Sequence, residues 1–350
     1  MNITKVNESL SNEEDHIGRV IYKNRGIYKV QYKDEVLEGT LKGKLVSEAI
    51  ATGDLPAVGD WVLLDISQDN CRIEKVLPRK QKFARKQKDD GKKLLDGSGT
   101  TQEQILATNV DKAIIVTGMD QNFNLKRIER FLTLAYDGGV APIIVLSKKD
   151  LCPQAERLYA EVEAIAYGVP IYMVSAITGE GIDTFVNAFK EDETVVFIGS
   201  SGVGKSTLSN ALLGEAILDT GRTQVGTGKG RHTTTSAQLI TSSKGVHIID
   251  TPGMREVQLW ADESSLQTTF EDIAIISERC KFSNCTHQNE PGCAIVEGLK
   301  SGLISEDRYA NYQKLQRELA FLEKKKAQVQ KNQNKKHEKY DRKQFKRAYD

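Results

Sequence analysis

The chain has 350 residues, 39% of them hydrophobic and 28% charged, with a net charge of +1. That is the composition of a soluble globular protein of two or three domains. No apolar run approaches the roughly 20 residues that span a bilayer, and the polar, acidic stretch Met1 to His16 is not a secretory signal, so a cytoplasmic protein without a membrane partner is expected.

The small net charge hides segregation. Residues 79–93 carry eight Lys/Arg against two Asp, and residues 321–350 carry eleven against four acids. Two basic segments on an otherwise acidic chain suit a polyanion such as RNA, because phosphate neutralisation dominates nucleic-acid affinity; the competing reading is solvated charge on a loop and a tail. Three of the five cysteines crowd into 280–293, while Cys71 and Cys152 stand alone as expected reduced thiols.

In chain order, residues 1–78 read as a small all-β barrel of the oligonucleotide-binding type. Tyr28, Val30 and Tyr32 alternate with Lys29, Gln31 and Lys33, and Trp61 to Leu64 resumes a strand after Gly59. Residues 79–103 form a basic connector without clear periodicity. From 104 to 260 the pattern becomes α/β: apolar runs at 113–116, 143–146, 171–174, 195–198 and 246–249 read as buried strands. A helical stripe of Leu125, Ile128, Leu132 and Ala135 lies between the first two, as in a doubly wound parallel sheet. Residues 261–322 read as a helical domain around a cysteine cluster, and 323–350 as a basic tail.

The chemistry sits at the strand ends. Gly199-Ser200-Ser201-Gly202-Val203-Gly204-Lys205-Ser206 fits G-x-x-x-x-G-K-[ST] and precedes a helix-compatible run from Thr207. Its backbone N–H groups would cradle phosphates, Lys205 would neutralise the β- and γ-phosphates, and Ser206 would ligate Mg²⁺. Asp250-Thr251-Pro252-Gly253 follows the last of these strands; Asp250 would support the magnesium shell through water and the Gly253 N–H would sense the γ-phosphate. Between them, Thr234 in the loop Gly230 to Thr235 would complete that shell when the γ-phosphate is present. Ser147-Lys148-Lys149-Asp150 is a base-reading candidate. Asp150 would accept from guanine N1–H and its amine, Lys148 would lie along the base, and Ser175-Ala176 would offer N–H groups to guanine O6. Serine stands where Asn or Thr is common, with fewer hydrogen bonds to offer. Cys280-x4-Cys285-x-His287-x5-Cys293 can close a tetrahedral, structural Zn²⁺ site.

The order of these motifs is unusual: base reading and Ser-Ala first, then P-loop, threonine loop and D-T-P-G. That order is a circular permutation of the common one. With the barrel in front and the zinc segment behind, residues 17–320 closely resemble the ribosome small subunit-dependent GTPase A family, most specifically at 230–235 and 280–293. The resemblance implies a GTPase that uses GTP, GDP and Mg²⁺, and a monomer is expected. It would bind the small ribosomal subunit and its rRNA late in maturation and be stimulated by that subunit. It favours His232 as base or water-positioner, since Met254 occupies the place of the usual glutamine; the alternative is a histidine that anchors the switch or touches RNA. A non-catalytic, GTP-sensing RNA-binding scaffold is the rival function.

Overall fold

The computed structural model describes residues 16–24, 26–48, 52–67, 70–86, 103–215, 237–250, 263–288, 290–321 and 324. They divide into two compact units. One comprises residues up to 85 and 104–258; the other comprises 86–103 and 259–350.

In the first unit, five strands close a barrel: β1 (Ile17–Asn24), β2 (Ile27–Tyr32), β3 (Glu35–Leu41), β4 (Trp61–Ser67) and β5 (Asn70–Val76). Their order is β1-β2-β3-β5-β4, and β4 returns to pair with β1. The β3–β5 pair is parallel and the other neighbours are antiparallel. A short helix α1 (Gly43–Glu48) bridges β3 and β4. This is the expected small all-β barrel, and the alternation explains it: Tyr28 and Val30 point into a core with Val20, Val62, Leu64 and Ile73, while Ile27 and Lys29 face out. Cys71 belongs to that core, and burial pushes its thiol above the ordinary value.

Two short strands follow, β6 (Lys82–Lys86) and β7 (Glu103–Thr108), paired with each other. β6 lies within the stretch that reads as an aperiodic connector. Its one large apolar side chain, the fully buried Phe83, packs into the core of the α/β sheet, and the surrounding Lys and Arg residues mask that signal in sequence.

The α/β sheet contains β8 (Lys112–Gly118), β9 (Ala141–Ser147), β10 (Ile171–Met173), β11 (Thr194–Ile198), β12 (Ala237–Thr241) and β13 (His247–Asp250). The order β10-β9-β8-β11-β13 is parallel throughout, with β12 antiparallel at the end. Alternate residues of each strand serve opposite faces. Ala113, Ile115, Ile144 and Ile198 meet α2 (Leu125–Asp137) and α3 (Ala155–Glu163). Ile114, Val116, Val145 and Phe197 meet α4 (Ile182–Val186) and α5 (Lys205–Leu213). Burial on both faces is why these strands read as continuous apolar runs.

β12 also pairs with β1, through Tyr22↔Gln238 and Lys23↔Ala237, so barrel and sheet share one eleven-stranded ladder. Arg19 of β1 reinforces the junction. Buried and stacked 5.4 Å from the Trp61 ring, it donates to Thr194 Oγ1 at 2.8 Å and to Gly59 O at 3.3 Å. Burial lowers its pKa to about 10, partly offset by Asp111, Asp192 and Asp60.

The second unit packs α6 (Glu263–Thr269), α7 (Glu271–Ser277), α8 (Ala294–Ser301) and a helical run over 306–321 around Leu266, Phe270, Ile273, Ile295 and Leu315. Arg308 clamps the Asp272 carboxylate at 2.8 and 2.7 Å and lies over the Phe270 ring. Among the described residues, no helix is long and apolar enough to cross a membrane.

Candidate nucleotide site and metal centre

The chain runs from β8 outward through β9 to β10, then returns to place β11 on the other side of β8. That reversal opens a crevice at the carboxyl ends of the strands, where α/β sheets bind ligands. Ser147 to Asp150 leave β9 there, Ser175 and Ala176 follow β10, the P-loop leaves β11, and Asp250 ends β13.

The P-loop conformation is written in its glycines. Gly199 has φ +148°, and a Cβ there would stand 2.3 Å from Val116 O, so no other residue fits without backbone movement. Gly202 and Gly204 also have positive φ, +77° and +94°. Between them Val203 is buried, while Ser200 is half-buried and Ser201 exposed. Lys205 opens α5 and folds back over the loop, donating to Gly199 O at 2.7 Å and Ser200 O at 2.6 Å. Ser206 and Thr207 lie half-buried in the first turn of α5.

Ser147 is tied to this loop rather than exposed to solvent. Its buried Oγ lies 2.6 Å from Val203 O and 3.2 Å from Thr117 O. A hydroxyl has one proton, and the shorter contact takes it. A serine therefore still links the base-reading strand to the P-loop, without the longer amide. The three residues after it are turned by Lys148, which adopts φ +62°. Lys148 Nζ reaches Asp120 Oδ2 at 2.7 Å. Burial pushes the Asp120 carboxyl up, but the Lys148 hydrogen bond and charge and the Asn122 N–H outweigh it, and the net shift is downward. Lys149 pairs with Glu180 at 2.6 Å, away from Asp120.

Asp150 is exposed, and its Oδ1 accepts from Ser175 Oγ at 2.6 Å. The Ser175 N–H donates to Glu180 O at 2.9 Å, whereas Ala176 is exposed on the loop. The sheet thus gathers the base-reading motif, the Ser-Ala turn, the P-loop and Asp250 along one edge. His232, Thr234 and Gly253, with Met254, lie outside the described residues. Two contributors carry no motif: Asp120, the partner of Lys148, and Arg127, whose Nη1 donates to Ser200 Oγ at 2.7 Å. Only position could have flagged them, since Asp120 follows the strand β8 that the sequence does reveal and Arg127 lies in the first turn of the helix after it.

In the second unit Cys280, Cys285, His287 and Cys293 bring one ligand atom each to within 4.8 Å of all the others. Cys280 Sγ is 4.0 Å from Cys293 Sγ, and His287 Nδ1 is 3.5 and 3.6 Å from those two sulfurs. His287 takes φ +60°, an uncommon conformation outside glycine that aims its ring at the thiols. Glu290 braces the knuckle by accepting from the Thr286 hydroxyl, from Thr286 N–H at 2.9 Å and from Gln288 N–H at 2.9 Å. Those donors, led by the Thr286 hydroxyl, hold its carboxyl down at about 2.

A family model described as RsgA GTPase matches residues 76–260. The chain belongs to that family. It is 42% identical to Small ribosomal subunit biogenesis GTPase RsgA 2 of Lactiplantibacillus plantarum, over 91% of this chain and 88% of the relative. It is 41% identical to RsgA 1 of Oceanobacillus iheyensis, over 89% and 87%. Among solved structures, YjeQ from Thermotoga maritima superposes with a TM-score of 0.65 at 28% identity, over 87% of this chain and 99% of that one. YloQ, a circularly permuted GTPase, shares the fold with a TM-score of 0.60 at 24% identity, over 89% and 98%. As a member of the RsgA GTPase family the chain is a GTPase, and the motif order read from its sequence is that of a permuted one.

Proposed function

We propose that this GTPase binds the small ribosomal subunit through its rRNA, assists late maturation of that subunit, and hydrolyses GTP faster when bound to it. Small ribosomal subunit biogenesis is the task printed in the names of relatives that cover nearly all of this chain. The observation that carries the reading is the joining of a base-reading motif to a P-loop by Ser147 at the crevice of the sheet.

In this reading Asp150 accepts from guanine N1–H and the exocyclic amine with the carboxylate lone pairs that Ser175 leaves available. The O6 contact falls to the Ala176 N–H, because the Ser175 N–H is already given to Glu180. The N–H groups of 199–204 and the Lys205 ammonium surround the β- and γ-phosphates. Ser206, Thr234 and, through water, Asp250 offer the hard oxygen donors that suit Mg²⁺, which when bound neutralises charge building on the phosphates. His232 orients the attacking water. The Cys₃His set holds one structural Zn²⁺: a tetrahedron with Zn–S near 2.3 Å has S···S edges of about 3.8 Å, close to the observed 4.0 Å. The protein acts as a monomer in the cytoplasm, with RNA contacts from barrel and zinc unit.

Phosphate release from GTP, measured with and without purified small subunits and against ATP, tests the reading. Strong stimulation by the subunit with GTP only is expected. Equal rates with and without the subunit would overturn the stimulated reading, and no release in either arm would leave a GTP-binding scaffold instead. His232→Ala should retain GTP binding while losing the stimulated rate.

A further inference from the structure

The loop from β8 to α2 carries no motif, yet it touches both halves of the nucleotide site. At its start Asp120 takes the Lys148 ammonium at 2.7 Å and the Asn122 N–H at 2.9 Å. At its end the Asn124 side chain caps α2 by accepting the Arg127 N–H at 3.0 Å. The cap fixes the first helical turn. From that turn Arg127 Nη1 donates to Ser200 Oγ at 2.7 Å, with Asn122 O at 3.4 Å.

Ser200 is where two cations meet. Arg127 holds its hydroxyl while Lys205 holds its carbonyl at 2.6 Å. Both Arg127 contacts are to neutral oxygens, and it meets no carboxylate among the described residues. A guanidinium with five N–H donors, set beside the P-loop, adds to the positive field that an anion would feel there.

The loop also needs holding. Ser200 and Ser201 lie between Gly199 and Gly202, both at positive φ, and glycine hinges leave many conformations accessible. Ser147 ties the far half of the loop at Val203 O. On the near half Lys205 ties the carbonyls of Gly199 and Ser200, and Arg127 adds the tie to the Ser200 side chain.

We infer that Arg127 is a positioning residue for the P-loop, holding Ser200 so that the first turn of the loop keeps its phosphate-binding shape; this rests on the nucleotide reading of the site. It acts through Ser200, so removing either partner has the same consequence, and removing both has no more.

The test compares Arg127→Ala, Ser200→Ala, the double variant and Lys205→Ala in the full chain. Readouts are the Kd for GDP and a non-hydrolysable GTP analogue, kcat and KM for GTP, and the melting temperature. Arg127→Ala and Ser200→Ala should each weaken both nucleotides about tenfold and raise KM similarly, with little change in kcat. The double variant should match either single one. Unchanged Kd and KM in Arg127→Ala, whatever its melting temperature, would overturn the inference, because a contact serving only the fold moves stability alone. A double variant about a hundredfold weaker would overturn it too, showing independent action. Lys205→Ala separates the two readings. If it still binds GDP like the parent chain, the nucleotide reading itself falls; if it loses binding while Arg127→Ala does not, only the role of Arg127 falls.

Discussion

The two candidate functional centres of this chain are built in opposite ways. The Cys₃His cluster draws all its ligands from residues 280–293, one knuckle in a unit with a small core. The candidate nucleotide site draws on residues scattered from Asp120 to Asp250, brought to one edge by five parallel strands. A local site can be short of core where a bound metal supplies the missing stability. A dispersed site has its framework paid for by the sheet, and its residues only refine loops that the sheet already positions.

That contrast predicts a descending series of effects. Chelation of the metal, or Cys285→Ser, should unfold the second unit outright, since structural zinc contributes on the order of 10 kcal/mol to such modules. Limited proteolysis would report cleavage within 263–321 while 104–215 stays resistant; a protease-resistant metal-free unit would break the comparison. Gly199→Ala should cost about 3 kcal/mol at the loop through its φ of +148° and the 2.3 Å approach to Val116 O. GDP titration should show a loss of about a hundredfold, with the sheet still folded by circular dichroism.

His247 sharpens the picture of the sheet as framework. Burial first, and then Arg19, depress its pKa from the ordinary 6.5 to about 4, although Asp192 at 3.5 Å pulls the other way. The folded chain therefore keeps it neutral where the unfolded chain takes up a proton. Its contribution is fully present above pH 6.5 and is lost as pH falls from there to about 4, amounting to about 3 kcal/mol. Melting temperature against pH should decline over that window, and His247→Gln should flatten the decline.

Ser147→Ala is a smaller step. It leaves Val203 O without its buried donor, so about 1–2 kcal/mol and roughly tenfold in GDP affinity are expected. The smallest effect belongs to Arg157→Ala. Its i,i+4 pair with Glu161 is exposed, so stability should stay within about 0.5 kcal/mol and GDP binding should not change. A larger loss there would mean that the helices contribute more to the site than this comparison allows.

Much of this was legible because the physics is local. Alternation in 27–33 exposed one barrel face, since side chains in a strand alternate. Runs such as Ile143 to Leu146 exposed doubly covered strands, since both faces are dry. The Ser147 substitution was legible as a departure but not in its consequence: only the packed structure carries its Oγ to Val203 O, fifty-six residues away in the chain. Strand β6 hid behind its own charges, because a single Phe83 gives no period. Asp120 and Arg127 gave no signal, because an acid after a strand and an arginine in a first helical turn are ordinary until a P-loop is folded against them.

By itself, then, the sequence determined the motifs and the Cys₃His spacing, which depend on residues close together in the chain, and the permuted order, which is read along it. The tertiary structure decided which partners those motifs acquire: Ser147 with Val203, Lys148 with Asp120, Arg127 with Ser200, and the barrel strand β1 with β12. Hydrogen bonds of this kind depend on distances of a few tenths of an ångström between segments far apart in sequence, and only the packing of the sheet and its helices sets those distances.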